Sequence, residues 1–324
     1  MAEIWQFNLG YRLFRFYTDW CTRSSFLRIR TEGRSNIPSD TPIILAPNHC
    51  CTMMDAALIL CTGGSATAFG ARADIFSTSL ASFFRWLKIV PLARQRDGLK
   101  DVAKNYAVFD EVADCIGHDV PFCIYVEGTH RAMRGLQPVK KGVFRIARRA
   151  QELGGKPVAI VPVGIAYESF FRLMTEVVVR FGEPIYVDQH PDKNLTDVLG
   201  ERILSLIEDY PRRPGIPLYL SIPLAVVSVP FFLLGAVMSS PILLLSYILG
   251  TRLKDRAWIN TIRLLVKVIL LPFILAGVGI PAFMHLPWWA ACAVLVCFAY
   301  APSLFYLTNN IFINIRKDIR ELKK

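Results

Sequence analysis

The amino-acid sequence predicts an α/β fold. A mostly parallel sheet is flanked by helices, with amphipathic N-terminal helices before it and a C-terminal helical membrane region after it. Three observations predict this. Between residues 43 and 209, short apolar runs closed by Pro, Gly or Asn alternate with segments of helical period. Residues 4–28 carry aromatic and aliphatic side chains at three-to-four spacing. Beyond residue 215 the chain turns almost uniformly apolar, which raises the mean hydropathy to +0.37. The segments divide as 1–35 (amphipathic N-terminal segment), 36–212 (α/β domain) and 213–324 (membrane region).

In residues 4–28, Arg, Trp and Tyr interleave with the apolar stripe, a composition suited to the lipid headgroup zone. The run IILAP (43–47) is a buried strand ending at a Pro-Asn turn, and a helix follows from Met53 to Leu60. Residues 64–70 form a second short strand, 74–88 a helix and 89–92 another strand. A helix covers 99–117, a buried strand FCIYV (122–126), and a long polar loop runs to Lys141. A basic helix spans 142–153 and ends at Gly154-Gly155. Strands follow at 158–167, 176–182 and 184–187, then a last helix over 193–209.

Residues 216–250 exceed one membrane crossing in length, and Pro217, Pro223, Pro230 and Pro241 are expected to break them, with a turn at Ser239-Ser240-Pro241 leaving a second half too short to span, so a tight or re-entrant hairpin is expected. A basic loop covers 251–263. A second apolar region runs from Leu264 to Leu307, broken at His285-Leu286-Pro287, with Trp288 and Trp289 placed as interface anchors. Basic segments at 251–263 and 315–324 put the catalytic domain on the cytoplasmic side, with two hairpins that cross the bilayer or dip into one leaflet.

The formal net charge is +11. With long apolar segments present, this favours an anionic bilayer surface and membrane lipids as partners. No RNA-recognition, zinc-finger or helix-turn-helix pattern supports nucleic acid. The eight cysteines form no CxxC pair and no zinc-type spacing, so a reduced compartment and no metal are expected. Absence of GxSxG argues against a serine hydrolase, and absence of GxxxxGK[ST] against a P-loop enzyme.

His49 stands where a strand meets a helix, with Asp55 six positions on. A carboxylate on one ring nitrogen fixes the tautomer and leaves the other nitrogen to accept a hydroxyl proton. Positions six apart do not share a face of a continuous helix, so His49 must precede the helix or sit in a bent first turn. Glu127-Gly128-Thr129 follows the buried strand FCIYV, where a Gly turn faces the crevice at the strand ends. Arg94 and Arg96 follow the strand at 89–92, and Arg131, Arg134, Lys140 and Lys141 cluster after the EGT turn. These cations suit phosphate.

The ordered blocks NHCCTMMD (48–55), IVPLARQRD (89–97), YVEGTHR (125–131) and VPVGIAYE (161–168) resemble the glycerolipid acyltransferases. These include the glycerol-3-phosphate and 1-acylglycerol-3-phosphate (lysophosphatidic acid) acyltransferases. The resemblance covers roughly residues 40–190, with KKGVFRIA (140–147) and VVVRFGEPI (177–185) adding to it. It implies the fold of glycerol-3-phosphate acyltransferase. It also implies a membrane-bound enzyme of phospholipid biosynthesis that needs no cofactor and takes acyl-CoA or acyl-ACP as cosubstrate, with acyl carrier protein then a partner. By resemblance, His49 deprotonates the acceptor hydroxyl and Asp55 orients it. Arg94 holds the acceptor phosphate with Arg96, Arg131 and Lys141 nearby. Glu127, Gly128 and Thr129 bind the acceptor, and Pro162 shapes the acyl site. Five residues separate His49 from Asp55 where four are commonest, and the five-residue form is similar to that of the branch acting on glycerol-3-phosphate or dihydroxyacetone phosphate. Val126 stands where Pro is usual, and His130 where Arg is usual. The altered block leaves open a different lyso-lipid or an amino-acid lipid as acceptor. From another class, an inactive lipid-binding membrane protein is the alternative.

Overall fold

The computed structural model describes residues 3–64, 66–77, 79–92, 99–189, 194–212 and 216–322. Helix α1 (Leu9–Arg23) starts at Asn8, whose side chain accepts the Tyr11 N–H at 2.8 Å. A single helix stands where a helical pair was also possible. It presents Leu9, Leu13 and Phe16 outward and buries Tyr11 and Cys21.

The eight strands are β1 (Arg28–Glu32), β2 (Ile43–Pro47), β3 (Ala68–Arg72), β4 (Ile89–Leu92), β5 (Phe122–Cys123), β6 (Ala159–Tyr167), β7 (Glu176–Phe181) and β8 (Ile185–Tyr186). They form one sheet in the order β1-β7-β6-β2-β5-β3-β4, with β8 also on β6. Pairing is parallel except where β6 meets β7 and β8. The mostly parallel, helix-flanked architecture is the one the alternating pattern predicts.

Helices α2 (Met53–Gly63), α3 (Ala81–Trp86), α4 (Leu99–Gly117) and α5 (Gly142–Gly154) connect strands, and α6 (Leu195–Glu208) follows the last of them. Alternation along the strands divides the core. Ile44, Ala46, Phe122 and Ile160 meet α4, α5 and α6 on one face. Leu45, Cys123, Val161, Val163 and Ile165 meet α1 and α2 on the other.

Several elements differ from the sequence expectation. The sheet begins inside the expected N-terminal segment 1–35, because Arg28–Glu32 pairs with β7. This is an edge strand held by cross-strand charge, with Arg30 on Glu176 at 2.7 Å and Arg180 on Glu32 at 2.6 Å, so no apolar run marks it. The ladder of β5 stops at Cys123, yet the chain stays extended along β2, as Ile124 and Val126 donate to the Leu45 and Pro47 carbonyls. The expected helix over 74–88 is a 3-10 turn at Ala73–Ser77 followed by the short α3.

The C-terminal region consists of α7 (Leu218–Met238), α8 (Ser240–Thr251), α9 (Ile259–His285) and α10 (Trp288–Leu322). The break between α7 and α8 falls at Ser239, in the expected Ser239-Ser240-Pro241 turn, and Pro217 precedes α7, but Pro223 and Pro230 lie inside α7 without breaking it. Pro272 and Pro281 lie inside α9. Pro272 removes the N–H that would bond the Val268 carbonyl, and the Tyr17 hydroxyl fills that place at 3.0 Å. The expected loop over 251–263 is shorter, since α9 takes Asn260 to Arg263 into its first turns.

Three of these helices are long and apolar enough to cross a membrane. In α7 the small residues Ser221, Ala225, Ser228 and Gly235 are buried, while Tyr219, Val226, Val227 and Val237 face outward. Small residues inside and large apolar residues outside is the pattern of helices solvated by lipid. Both hairpins return to the catalytic domain. The α7–α8 tip lies beside the middle of its neighbours, with Ile242 on Val266 and Leu271, and Gly235 against Ala301 and Phe305. The α9–α10 hairpin therefore projects further, by roughly 20 Å at helical rise. Its tip exposes Trp288 and Trp289.

Candidate active site

The centre is built at the end of β2. Asn48 ties that end to β6, its Oδ1 accepting the Ile165 N–H at 2.7 Å and its Nδ2 donating to the Ile165 carbonyl at 3.1 Å. His49 follows, and the chain turns through Cys50, Cys51 and Thr52 into α2. Thr52 is buried at φ 49° and ψ −124°. That region is strained for a β-branched residue, at about 1–3 kcal/mol. This kink turns the chain between His49 and Asp55, and His49 precedes the helix.

Asp55 lies in the first turn of α2, fully buried. Its Oδ2 meets His49 Nδ1 at 2.8 Å and accepts the Cys50 and Cys51 N–H groups, each at 2.8 Å. Its Oδ1 accepts the Tyr167 hydroxyl at 2.6 Å. An anion at a helix N-terminus is favoured by the helix dipole. The two main-chain groups can only donate and the phenol donates here, so the carboxylate acts as acceptor throughout and the His49 ring carries its proton on Nδ1. Nε2 is left with a lone pair, as a general base requires.

The His49 ring stacks on Tyr125, with centroids 3.9 Å apart, and meets the edge of His130 at 5.5 Å. Its main-chain N–H donates to Glu127 Oε1 at 2.6 Å, and Glu127 Oε2 accepts the Gln137 N–H at 3.0 Å. Burial pushes the Glu127 carboxyl above the usual range, and the N–H groups of His49 and Gln137 oppose that rise. Both oxygens of Glu127 therefore hold main chain, which differs from the acceptor-binding role the resemblance implies. Gly128 takes φ 66°, the left-handed conformation that suits glycine.

Burial, followed by the Asp55 charge, drives the thiols of Cys50, Cys51 and Cys123 well above the ordinary cysteine range. They are poor nucleophiles beside His49. Burial and Asp55 likewise hold Tyr167 protonated, as its donor role needs.

Among the expected site residues, the fold brings together His49, Asp55 and Glu127. Arg131 donates its main-chain N–H to the His49 carbonyl at 3.1 Å and is exposed. Thr129 is exposed, and Lys141 is exposed at the N-cap of α5. Pro162 is not brought to the pair. A Cβ on Gly182 would lie 3.5 Å from Pro162 Cβ and 3.1 Å from Leu206, which puts Pro162 on the sheet face opposite Asp55. Arg94 and Arg96 lie outside the described residues.

Four residues were missed by sequence reasoning. Tyr167 lies in the fourth block on the same strand face as Val163 and Ile165, so strand alternation could have pointed to it. Tyr125 precedes EGT by two positions. The other two come from the C-terminal region and have no local signal. Asp255 accepts from His130 Nε2 at 2.8 Å, and Thr261 meets the Thr52 hydroxyl at 2.6 Å.

Residues 28–166 match the Acyltransferase family. The lyso-ornithine lipid O-acyltransferase of Brucella abortus (strain 2308) is 26% identical over 229 residues, which is 61% of this chain and 82% of that protein. The crystal structure of the 1-acyl-sn-glycerophosphate acyltransferase PlsC from Thermotoga maritima aligns with a TM-score of 0.47 and 21% identity, over 61% of this chain and 78% of that one. The matched stretch, residues 28–166, contains His49, Asp55 and Glu127.

Proposed function

We propose that this chain is a membrane-bound O-acyltransferase that moves a fatty acyl group from acyl-CoA or acyl-ACP to glycerol-3-phosphate or 1-acylglycerol-3-phosphate, with His49 as general base. The observation that carries this reading is the His49–Asp55 pair, with Nδ1 tied to a buried carboxylate and Nε2 unspent. The acceptor hydroxyl gives its proton to Nε2 as its oxygen bonds the acyl carbon. The carbon–sulfur bond breaks, and the leaving thiolate takes the proton back from His49. Exposed Arg131, Arg134, Lys140 and Lys141 supply positive charge for an anionic acceptor.

The apolar helices keep the enzyme where acyl chains partition. Positive charge on the 252–256 turn and near the end of α10 supports a cytoplasmic catalytic domain, because both stretches return to it. Purified His49→Ala protein, shown to be folded, should transfer no acyl group from either thioester. Near-wild-type transfer would overturn the base assignment.

A specific observation favours a second acceptor class. His130 stands where a phosphate-binding Arg is usual, and its Nε2 is paired with the Asp255 carboxylate. Negative charge at that point suits an acceptor carrying an amine better than a phosphomonoester. The relationship to a lyso-ornithine lipid O-acyltransferase points the same way. An acceptor panel of glycerol-3-phosphate, 1-acylglycerol-3-phosphate and a lyso-amino-acid lipid decides it. Strong preference for the phosphate-free acceptor replaces the first reading of the substrate and leaves the chemistry intact.

A further inference from the structure

We propose that Thr261, at the start of α9 in the membrane region, is a positioning residue for the His49–Asp55 pair. The inference rests on the acyltransferase reading of that pair.

A helix start leaves main-chain N–H groups without intrahelical partners, and a cap residue usually supplies the acceptor. Thr52 occupies the cap position of α2 and makes no side-chain cap bond of that kind among the described residues. The Met54 N–H meets the Cys51 carbonyl at 3.0 Å, and a second acceptor comes from far along the chain. Thr261 Oγ1 accepts the Met54 N–H at 3.2 Å and donates to the Cys51 carbonyl at 2.9 Å. A hydroxyl has one proton. With that proton on Cys51, the 2.6 Å contact between the two threonine hydroxyls has Thr52 as donor. Thr261 is fully buried, and its one donor and two acceptor sites are all used on one turn.

That turn sets the pair. Its Cys50 and Cys51 N–H groups hold Asp55 Oδ2, the same oxygen that meets His49 Nδ1. Thr261 fixes the Cys51 carbonyl, and so the orientation of the peptide that leads into the strained Thr52. Thr261 adds to the bonds that α2 itself makes across Thr52, where Met54 donates to the Cys51 carbonyl at 3.0 Å and Asp55 to the Thr52 carbonyl at 3.2 Å. The neighbours of Thr261 do a different job. Asn260 Nδ2 donates to the Phe170 carbonyl at 2.9 Å and Arg263 Nη1 to the Phe171 carbonyl at 2.7 Å, which dock α9 on the segment after β6. The pair is therefore assembled in full only when α9 is seated on the catalytic domain.

The test uses the full chain in lipid nanodiscs, with Thr261→Val, Thr261→Ser and Asn260→Ala beside wild type. Thr261→Val should lower kcat by roughly 10- to 100-fold with KM changed less than about twofold, since small misplacements of a base are that costly. Thr261→Ser should restore kcat to within about threefold, as it keeps the hydroxyl. Asn260→Ala should melt earlier with kcat near wild type. A second readout needs no turnover. In protein with 15N-labelled histidine, the His49 Nδ1 proton, assigned by its loss in His49→Ala, should be present in wild type and Thr261→Ser, and shifted or lost in Thr261→Val. If Thr261→Val does not fold, Thr52→Val removes one donor to Thr261 and should lower kcat by about 3- to 10-fold. Unchanged kcat and an unchanged His49 signal in the folded valine variant overturn the proposal. Wild type that transfers acyl groups to no acceptor counts against the acyltransferase reading, and the His49 signal still decides the role of Thr261.

Discussion

The phenol of Tyr167, the last residue of β6, donates to Asp55 Oδ1 at 2.6 Å and completes the coordination of a carboxylate with no exposed surface. Tyr167→Phe leaves a lone pair of that buried anion unsatisfied. A hydrogen bond to a charged group contributes about 1.5–3 kcal/mol, and the variant should lose that much stability. Asp55 keeps its two main-chain donors, so kcat should fall only about 10-fold, with KM unchanged. Thermal unfolding and steady-state acyl transfer measure the two effects, and a wild-type melting curve would show that the contact contributes nothing.

Asp55→Asn separates charge from shape. The amide oxygen can still accept from the Cys50 and Cys51 N–H groups, so the fold should survive. His49 loses the anion that holds its proton on Nδ1. By the logic of His–Asp pairs, kcat should drop by roughly 10³- to 10⁴-fold. Single-turnover acyl transfer with a near-ultraviolet circular dichroism check is the measurement. A loss below about tenfold would mean that Asp55 is structural only.

Glu127 has a pH signature. Burial holds its folded pKa above the unfolded value, against the pull of the His49 and Gln137 N–H groups. The folded state thus takes up the proton first as pH falls. Ionised Glu127 destabilises the fold above its folded pKa, and that cost is relieved as pH drops through it. Glu127→Gln cannot titrate. The melting temperature of wild type should therefore rise relative to Glu127→Gln between pH 7 and the range just above an ordinary glutamate. A constant difference across that window would remove the role of burial.

What the sequence reveals, and what it hides, follows from distance along the chain. His49, Asp55 and the EGT turn are legible because a strand, a turn and a helix start lie within a few residues. The partners that make the pair work come from elsewhere. Tyr167 is 112 positions from Asp55, and the Thr261 hydroxyl caps a helix 207 positions before it. No periodicity encodes such a meeting. The edge strand β1 escapes notice because RIRTE is held by ion pairs rather than by an apolar face. The prolines mislead for a related reason. Pro223 and Pro230 read as breaks, whereas α7 runs through both, and at Pro272 in α9 a packed neighbour, Tyr17, satisfies the carbonyl that the proline frees.

The two hairpins have different relations to the catalytic centre, and Gly235 tests that difference. A Cβ at Gly235 would sit 2.9 Å from the Phe305 nitrogen and 3.2 Å from the Ala301 carbonyl, so α7 and α10 approach backbone to backbone. Gly235→Val must push the helices apart, because main chain cannot yield as a side chain can. Overpacking of this kind costs about 1–3 kcal/mol, which corresponds to roughly 3–10 °C in melting temperature. The residues that reach the His49 turn and its neighbour His130, namely Thr261, Asp255 and Trp258, all precede or open α9. Activity per folded molecule in Gly235→Val should therefore stay within about twofold of wild type while thermal stability in detergent falls. A selective loss of kcat with an unchanged melting temperature would instead make α7 part of the catalytic assembly, and would put the contact between α7 and α10 on the same footing as that between α9 and α2.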